Sequence, residues 1–335
     1  MINRKKFLSS FLMAATLLTG CCCVVAKPNE PIRVCSFNIR LSPGDRKTEN
    51  NWNDRKGAVV KLLREKNFDI FGLQEVCPDQ AAYIDAAFTD FDKFGEHRNA
   101  DRKSGEASSI YFRKSRFELI NGGTFWLSET PEVPGKKGWG AMCPRVCSWA
   151  FLKDRLTGKK FCFANTHTDH KSALARKEGM LLIIKRMKEF APEGTPIVFT
   201  GDHNCTEISE PARAVSAILN DAITVSETTP KGSWRTYNGW NWVEKEVSNA
   251  EALKRSPEKR NAAAKLSKTG GPDLVAAGSE EGTAFSKKCR GPRIDYIYTS
   301  RDIRVLDFET INDRREGTKL YPSDHFPISA TIILP

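Results

Sequence analysis

Residues 165–170 read NTHTDH and follow directly on the apolar run FCFA at 161–164, in a chain of 335 residues that holds only five histidines. An apolar run that ends abruptly in amide, hydroxyl, imidazole and carboxylate groups is the pattern of a buried strand delivering polar side chains to the edge of a sheet. The H-x-D-H spacing first raises a zinc reading, because imidazole and carboxylate are zinc ligands. A dinuclear zinc hydrolase would want H-x-H-x-D-H, whereas here Asn165 and Thr166 precede a single histidine. Only His97, His203 and His325 remain to supply further imidazoles. The zinc reading is set aside, and the polar strand end becomes the feature to follow.

The same pattern recurs along the chain. IRVCSFNIR (32–40) alternates Val34, Ser36 and Asn38 against Cys35, Phe37 and Ile39, and FDIFGLQEV (68–76) carries Gln74 and Glu75 to its end. TPIVFTGDHN (195–204) ends in Asp202, His203 and Asn204, and RIDYIYTS (293–300) brings Asp295. Further strands are predicted at 107–114, 117–128, 147–154 and 328–334. Helices are predicted at 55–67, 79–88, 174–190 and about 212–219. Many strands with few helices imply an α/β chain of two packed sheets with outer helices, in one domain over 32–335. Residues 241–290 break the rhythm, with ten basic residues against seven acidic and few large apolar side chains. They are expected to form a mobile insertion, or a basic flap over an anionic substrate.

The first twenty residues are of another kind. Arg4, Lys5 and Lys6 precede an apolar run from Phe7 to Leu18, the order of an export signal and too short for a membrane span, which needs about 20 apolar residues. Leu18-Thr19-Gly20-Cys21 resembles the bacterial lipoprotein box, which implies a signal peptide at 1–20, a lipid on Cys21 and a tether over 21–31. Cleavage after Ala26 is the alternative. The protein is therefore expected to be exported and lipid-anchored in the cell envelope, or else periplasmic or secreted. The net charge of +11 favours polyanionic partners, nucleic acid first. Beyond Cys21–Cys23 an odd seven cysteines remain, most inside apolar runs and read as small buried hydrophobes, with Cys143 and Cys147 as candidates for a disulfide.

SFNIR, GLQEV, NTHTDH, GDHN, RIDYIY and SDHFP occur in the order and strand context of the endonuclease/exonuclease/phosphatase superfamily, which the chain resembles over about residues 32–334, and GTFWLSETP (123–131) with the Arg145–Trp149 segment further resembles a secreted bacterial branch of it. The resemblance implies a four-layer sandwich of two mixed β-sheets flanked by helices. It also implies a phosphoric ester hydrolase using Mg²⁺ or Mn²⁺, because attack on phosphorus builds charge that a hard cation offsets. Glu75 would be the main metal ligand, with Asn38 and Asp324 completing the shell. Asp202 would activate water and Asn204 would hold a phosphate oxygen. His325 would pair with Asp295, and His167 would donate to phosphate or to the leaving oxygen.

Arg40 and Arg176 are candidates for gripping substrate or for structural ion pairs. Asp169 and His170 are read as braces of their loop. His203 stands where the family usually has an aromatic or aliphatic residue, and strand alternation turns it away from Asp202 and Asn204. The expected reaction is phosphodiester hydrolysis on nucleic acid. The rivals are a sphingomyelinase-like lipid enzyme with a rim built from Trp126, Trp139, Trp234, Trp240 and Trp242, a phosphomonoesterase, and a non-catalytic binding module. No protein partner is expected.

Overall fold

The computed structural model describes residues 29–240 and 292–335. The signal segment, Cys21, most of the tether, the insertion at 241–290, Trp242 and Cys289 lie outside the described residues.

Twelve strands and five helices follow one another among the described residues. In order they are β1 (Ile32–Asn38), α1 (Trp52–Glu65), β2 (Ile70–Val76), α2 (Pro78–Ala87), β3 (Phe91–Phe94), β4 (Ala107–Arg113), β5 (Phe117–Trp126), β6 (Val146–Asp154) and β7 (Lys160–His167). Then come α3 (Ala173–Phe190), β8 (Ile197–Asp202), α4 (Glu210–Ser216), β9 (Asn220–Asp221), α5 (Ala222–Val225), β10 (Asp295–Thr299), β11 (Arg304–Thr310) and β12 (Ile328–Ile333).

The strands form two six-stranded sheets, ordered β11-β12-β1-β2-β4-β3 and β5-β6-β7-β8-β10-β9. Each is antiparallel except for one central parallel pair, β1 with β2 and β7 with β8. Three apolar clusters account for the layers. Ile70, Phe112, Phe163, Val198, Ile297 and Ile332 meet between the sheets. Val59, Leu62, Ala81 and Ile84 of α1 and α2 cover the outer face of the first sheet. Met180, Ile183, Met187 and Val215 of α3 and α4 cover that of the second. The predicted four-layer sandwich is the fold observed, and no helix among the described residues is long and apolar enough to cross a membrane.

Local chemistry sets the helix starts. The Asn51 side chain accepts from the Asp54 amide at the head of α1, and Ser172 accepts from the Ala175 amide at the head of α3.

The inter-sheet layer is not wholly apolar. The Asn165 amide nitrogen donates to the Leu73 and Ser109 carbonyls of the opposite sheet, both at 2.9 Å. Its oxygen accepts from Gln74 Nε2 at 2.7 Å and Thr200 Oγ1 at 3.1 Å. Gly72 lies beneath this contact, where a Cβ would come within 2.4 Å of Thr200 Oγ1, so only glycine lets the sheets close around the amide. Four satisfied bonds in a dry layer make Asn165 a polar bolt between the sheets, directly below the strand end that carries His167.

One sequence expectation is corrected: Cys143 and Cys147 are both free thiols, as are Cys35, Cys77, Cys162 and Cys205, and all but Cys143 are buried. Of the five tryptophans considered for a rim, four are described. Trp126 is buried, with its Nε1 donating to the Arg98 carbonyl at 2.6 Å, and Trp139, Trp234 and Trp240 are half-buried.

Candidate active site

Two parallel pairs open on the same edge of the sandwich, and register does the rest. Asn38 stands opposite Gln74 at the end of β1 and β2, and His167 stands opposite Asp202 at the end of β7 and β8. Asp295, at the start of antiparallel β10, faces Asp202 from the other side. The backbone is forced into shape here: Arg40, Glu75 and Asn204 adopt φ values of 57°, 63° and 47°. Left-handed conformations in residues with a Cβ are held only where surrounding contacts over-determine them.

Those contacts are dense. Asn38 Nδ2 donates to Glu75 Oε1 at 3.0 Å and to Asp202 Oδ2 at 2.9 Å, bridging the carboxylates of the two sheets. Asn38 Oδ1 accepts from the Arg40 amide at 2.9 Å, and Glu75 Oε2 accepts from the Leu41 amide at 2.8 Å. His325 Nδ1 donates to Asp295 Oδ2 at 2.9 Å, while its Nε2 lies 3.7 Å from Asp202 Oδ2. Asn204 Nδ2 donates to the Thr168 carbonyl at 3.1 Å and to His167 Nε2 at 2.9 Å. Every one of these side chains except that of Asn204 is buried or nearly so.

Burial and crowding set the protonation. Burial and the facing Asp295 push the Asp202 carboxyl up to about 7. Burial opposes protonation of His325, but Asp295 and Asp202 outweigh it and raise the imidazole to about 10. Burial holds His167 well below the usual imidazole range, helped by the Arg145 guanidinium and by His325. Asp324 is pushed up by burial, with Glu75 also raising it, against the opposing pull of His325. A cationic imidazole, a neutral one and a carboxyl poised near neutrality thus share one cleft, an arrangement suited to proton transfer.

The family model described as Endonuclease/Exonuclease/phosphatase family matches residues 35–325. The chain belongs to the endonuclease/exonuclease/phosphatase family. Members of this family are phosphoesterases. An endonuclease/exonuclease/phosphatase family protein of Bacteroides thetaiotaomicron is 27% identical with a TM-score of 0.72, covering 92% of this chain and 99% of that one. A mannosyl-6-phosphatase from the same organism is also 27% identical with a TM-score of 0.72, over 90% of this chain and 100% of that one. Nocturnin of Drosophila melanogaster is 26% identical over 301 residues, 83% of this chain. The chain spans 41% of that nocturnin's length and 38% of that of human tyrosyl-DNA phosphodiesterase 2, which is 25% identical over 158 residues.

Within this family site, the structure brings Asn38, Glu75, His167, Asp202, Asn204, Asp295, Asp324 and His325 to one edge. Arg40 joins them, with Nη1 3.7 Å from Asp324 Oδ2 and Nε donating to Asp45 Oδ2 at 2.9 Å. Arg176 is used differently, donating to the Asp169 carbonyl at 2.9 Å, so it braces the NTHTDH loop. Asp169 braces it too, accepting from the amides of Met142, Lys171 and Ser172 at 3.0, 2.9 and 2.8 Å. His203 turns away and packs against Phe199, Tyr296 and Tyr298, with ring centroids 5.0 to 5.7 Å apart. At His167, Asn204 Nδ2, fixed by Thr168, donates to Nε2, which places the ring proton on Nδ1.

That proton faces a residue the sequence reading missed. Glu106 Oε2 lies 3.9 Å from His167 Nδ1 and 2.7 Å from Arg98 Nη1. Gln80 and Arg55 were missed as well. Gln80 Nε2 donates to the Arg40 carbonyl at 2.8 Å, and its Oε1 accepts from the amides of Ser42 and Cys77 at 3.2 and 3.0 Å. The buried Arg55 guanidinium donates to the carbonyls of Ile39, Arg40 and Pro322. Together they fasten the backbone segments that present Asn38, Glu75 and Asp324.

Proposed function

We propose that this chain is an exported, divalent-metal-dependent phosphoesterase whose leading substrates are phosphorylated sugars. The observation that carries the chemistry is the Asn38 amide held between Glu75 of one sheet and Asp202 of the other, which fuses an oxygen-donor cluster to a proton-transfer cluster. Glu75 and Asp324 would offer carboxylate oxygens and Asn38, with its amide turned over, a third oxygen, a set suited to Mg²⁺ or Mn²⁺; burial, with Glu75 adding to it, raises the Asp324 carboxyl, a charge problem that a cation would relieve. When bound, the ion supplies charge stabilisation for the phosphoryl oxygens.

The protein's own groups do the rest. Asp202, with its carboxyl near 7, takes a proton from the attacking water at neutral pH. Protonated His325, oriented through Nδ1 by Asp295, turns its Nε2–H toward the cleft to hold phosphate or to protonate the leaving oxygen. Neutral His167 anchors Asn204 beside Asp202.

The sugar phosphate reading is supported by likeness to a mannosyl-6-phosphatase along its whole length. The full-chain charge favours a second reading, phosphodiester hydrolysis on nucleic acid. Export rests on the basic-then-apolar order of residues 4–18 and the cysteine at 21, with a lipid on Cys21 as the anchor.

The test is hydrolysis by the full chain of mannose 6-phosphate, p-nitrophenyl phosphate, bis-p-nitrophenyl phosphate, plasmid DNA and sphingomyelin, with Mg²⁺ or Mn²⁺ and with a Glu75→Ala control. Metal-dependent phosphate release, led by the monoesters, is the expected result. Activity that survives both EDTA and Glu75→Ala would overturn the mechanism, and a preference for DNA would select the second reading.

A further inference from the structure

Tyr237 is 38% exposed and stands beside the cleft that holds Asp202, Asp295 and His325. Its ring meets that of His325 edge to face, with centroids 5.0 Å apart and planes at 65°. The backbone around it is fastened to the segment that carries Asp324 and His325. The amides of Asn238 and Gly239 donate to the Asp324 carbonyl at 2.8 and 3.0 Å, Asn238 Nδ2 donates to the Ser323 carbonyl at 3.0 Å, and the Phe326 amide donates to the Thr236 carbonyl at 2.7 Å. On the other side Thr236 Oγ1 accepts from the amides of Ile294 and Asp295 at 3.0 and 3.1 Å. Tyr237 is thus tied by its neighbours to both members of the Asp295–His325 pair.

We propose that Tyr237 is a substrate-binding residue, the platform on which the ring of a phosphoester's leaving group stacks while its phosphoryl group lies against His325. The inference rests on the phosphoesterase reading and deepens it by naming the substrate class: an ester whose phosphate is attached on or next to a ring with a broad face, the C–H face of a pyranose or the base of a nucleoside. An aromatic face offers such a ring contact without demanding a particular pattern of hydrogen bonds, and a platform already fixed by its backbone loses little freedom on binding. An acyclic phosphate ester has no ring to lay on it. The position of Tyr237 beside the imidazole expected to serve the leaving oxygen puts the platform on the leaving-group side of the phosphate.

The experiment compares the full chain with its Tyr237→Ala and Tyr237→Phe variants in Mg²⁺. It measures calorimetric binding of mannose 6-phosphate, adenosine 5′-monophosphate and glycerol 3-phosphate, alongside hydrolysis of the same three. Tyr237→Ala should weaken binding of a ring-bearing ligand by about 5- to 150-fold, the range that aromatic stacking supplies. Glycerol 3-phosphate should be unaffected, and Tyr237→Phe should bind as the parent does. Loss confined to mannose 6-phosphate supports a sugar platform, and loss confined to the nucleotide supports a nucleoside platform. Equal loss for all three ligands, or no loss for any, would overturn the proposal, because a ring that merely shields His325 does not discriminate by ligand shape. Hydrolysis reads separately: no turnover of any ester, with ring-selective binding intact, defeats the phosphoesterase reading and leaves the platform standing.

Discussion

Each sheet contributes one parallel strand pair to the site, yet the two pairs deliver groups of different kinds. The β1–β2 end supplies oxygen donors, Asn38 and Glu75, held by backbone amides and by the Arg55 and Gln80 clamp, and the nearby β12 approach adds Asp324. The β7–β8 end supplies His167, Asp202 and Asn204, joined through β10 to Asp295 and His325, groups whose proton affinities are displaced in opposite directions. On the proposed function, one half of the cleft would seat the cation and the other would move protons. The lesson is that near-identical strand architecture, duplicated across a sandwich, leaves chemistry to be decided by a few terminal side chains.

Removing the cation seat alone is the severest way to probe this division. Glu75→Ala should lower turnover by several orders of magnitude and abolish calorimetric Mg²⁺ binding, while circular dichroism stays that of the parent. His325→Ala should reduce kcat by about 10²- to 10⁴-fold, the range for a positioned proton donor, yet leave Mg²⁺ binding in place. Loss of metal affinity in both variants would erase the division of labour between the halves. Joining the halves is the task of Asn165. Asn165→Leu should cost about 2–4 kcal/mol in denaturant unfolding, because the Leu73 and Ser109 carbonyls lose a donor in a buried layer and Gln74 Nε2 keeps only Ser36 Oγ and the Gly72 carbonyl as acceptors.

The effect that is smallest at neutral pH concerns His203, on the far face of the β8 end. Burial, with Arg293, pushes its ring down to about 3 from the ordinary imidazole value of 6.5, so between these values the unfolded chain binds a proton that the native chain does not. Its contribution to stability is whole above pH 6.5 and is lost as pH falls toward 3, by up to about 1.4 kcal/mol per pH unit. His203→Phe should flatten that acid limb of the stability curve in thermal melts and leave the neutral-pH value close to the parent's.

The fold was legible where strands announce themselves. FDIFGLQEV and TPIVFTGDHN are short apolar runs with polar ends, and β2 and β8 lie within them. It was illegible where that signal fails. β3 is four residues, two of them exposed and charged, and β11 carries a register shift between Val305 and Asp307 that breaks its alternation. The site shows the same contrast. Groups at the ends of β1, β2, β7 and β8 could be read directly, because polar residues after an apolar run stand out. Glu106 could not, since it precedes its strand: antiparallel β4 starts at the site's edge where parallel strands finish. Arg55 and Gln80 sit on helices, where a charged or amide side chain looks like solvent-facing surface until its backbone partners are known. Asn165 was visible as a letter of NTHTDH, but its role depends on Leu73 and Ser109, which no local pattern links to it.

The place of that amide has one further consequence. Asn165 precedes His167 by two residues and so points to the same side of β7, which makes the bond pattern between the sheets a gauge of distance for the cleft above. Apolar side chains tolerate sliding past one another, whereas an amide with four assigned partners accepts a single offset. A sandwich that loosened while keeping its strands would therefore forfeit alignment of Glu75 with Asp202 before it lost any measurable sheet content. Catalytic competence in this molecule is a finer reporter of native packing than secondary structure is.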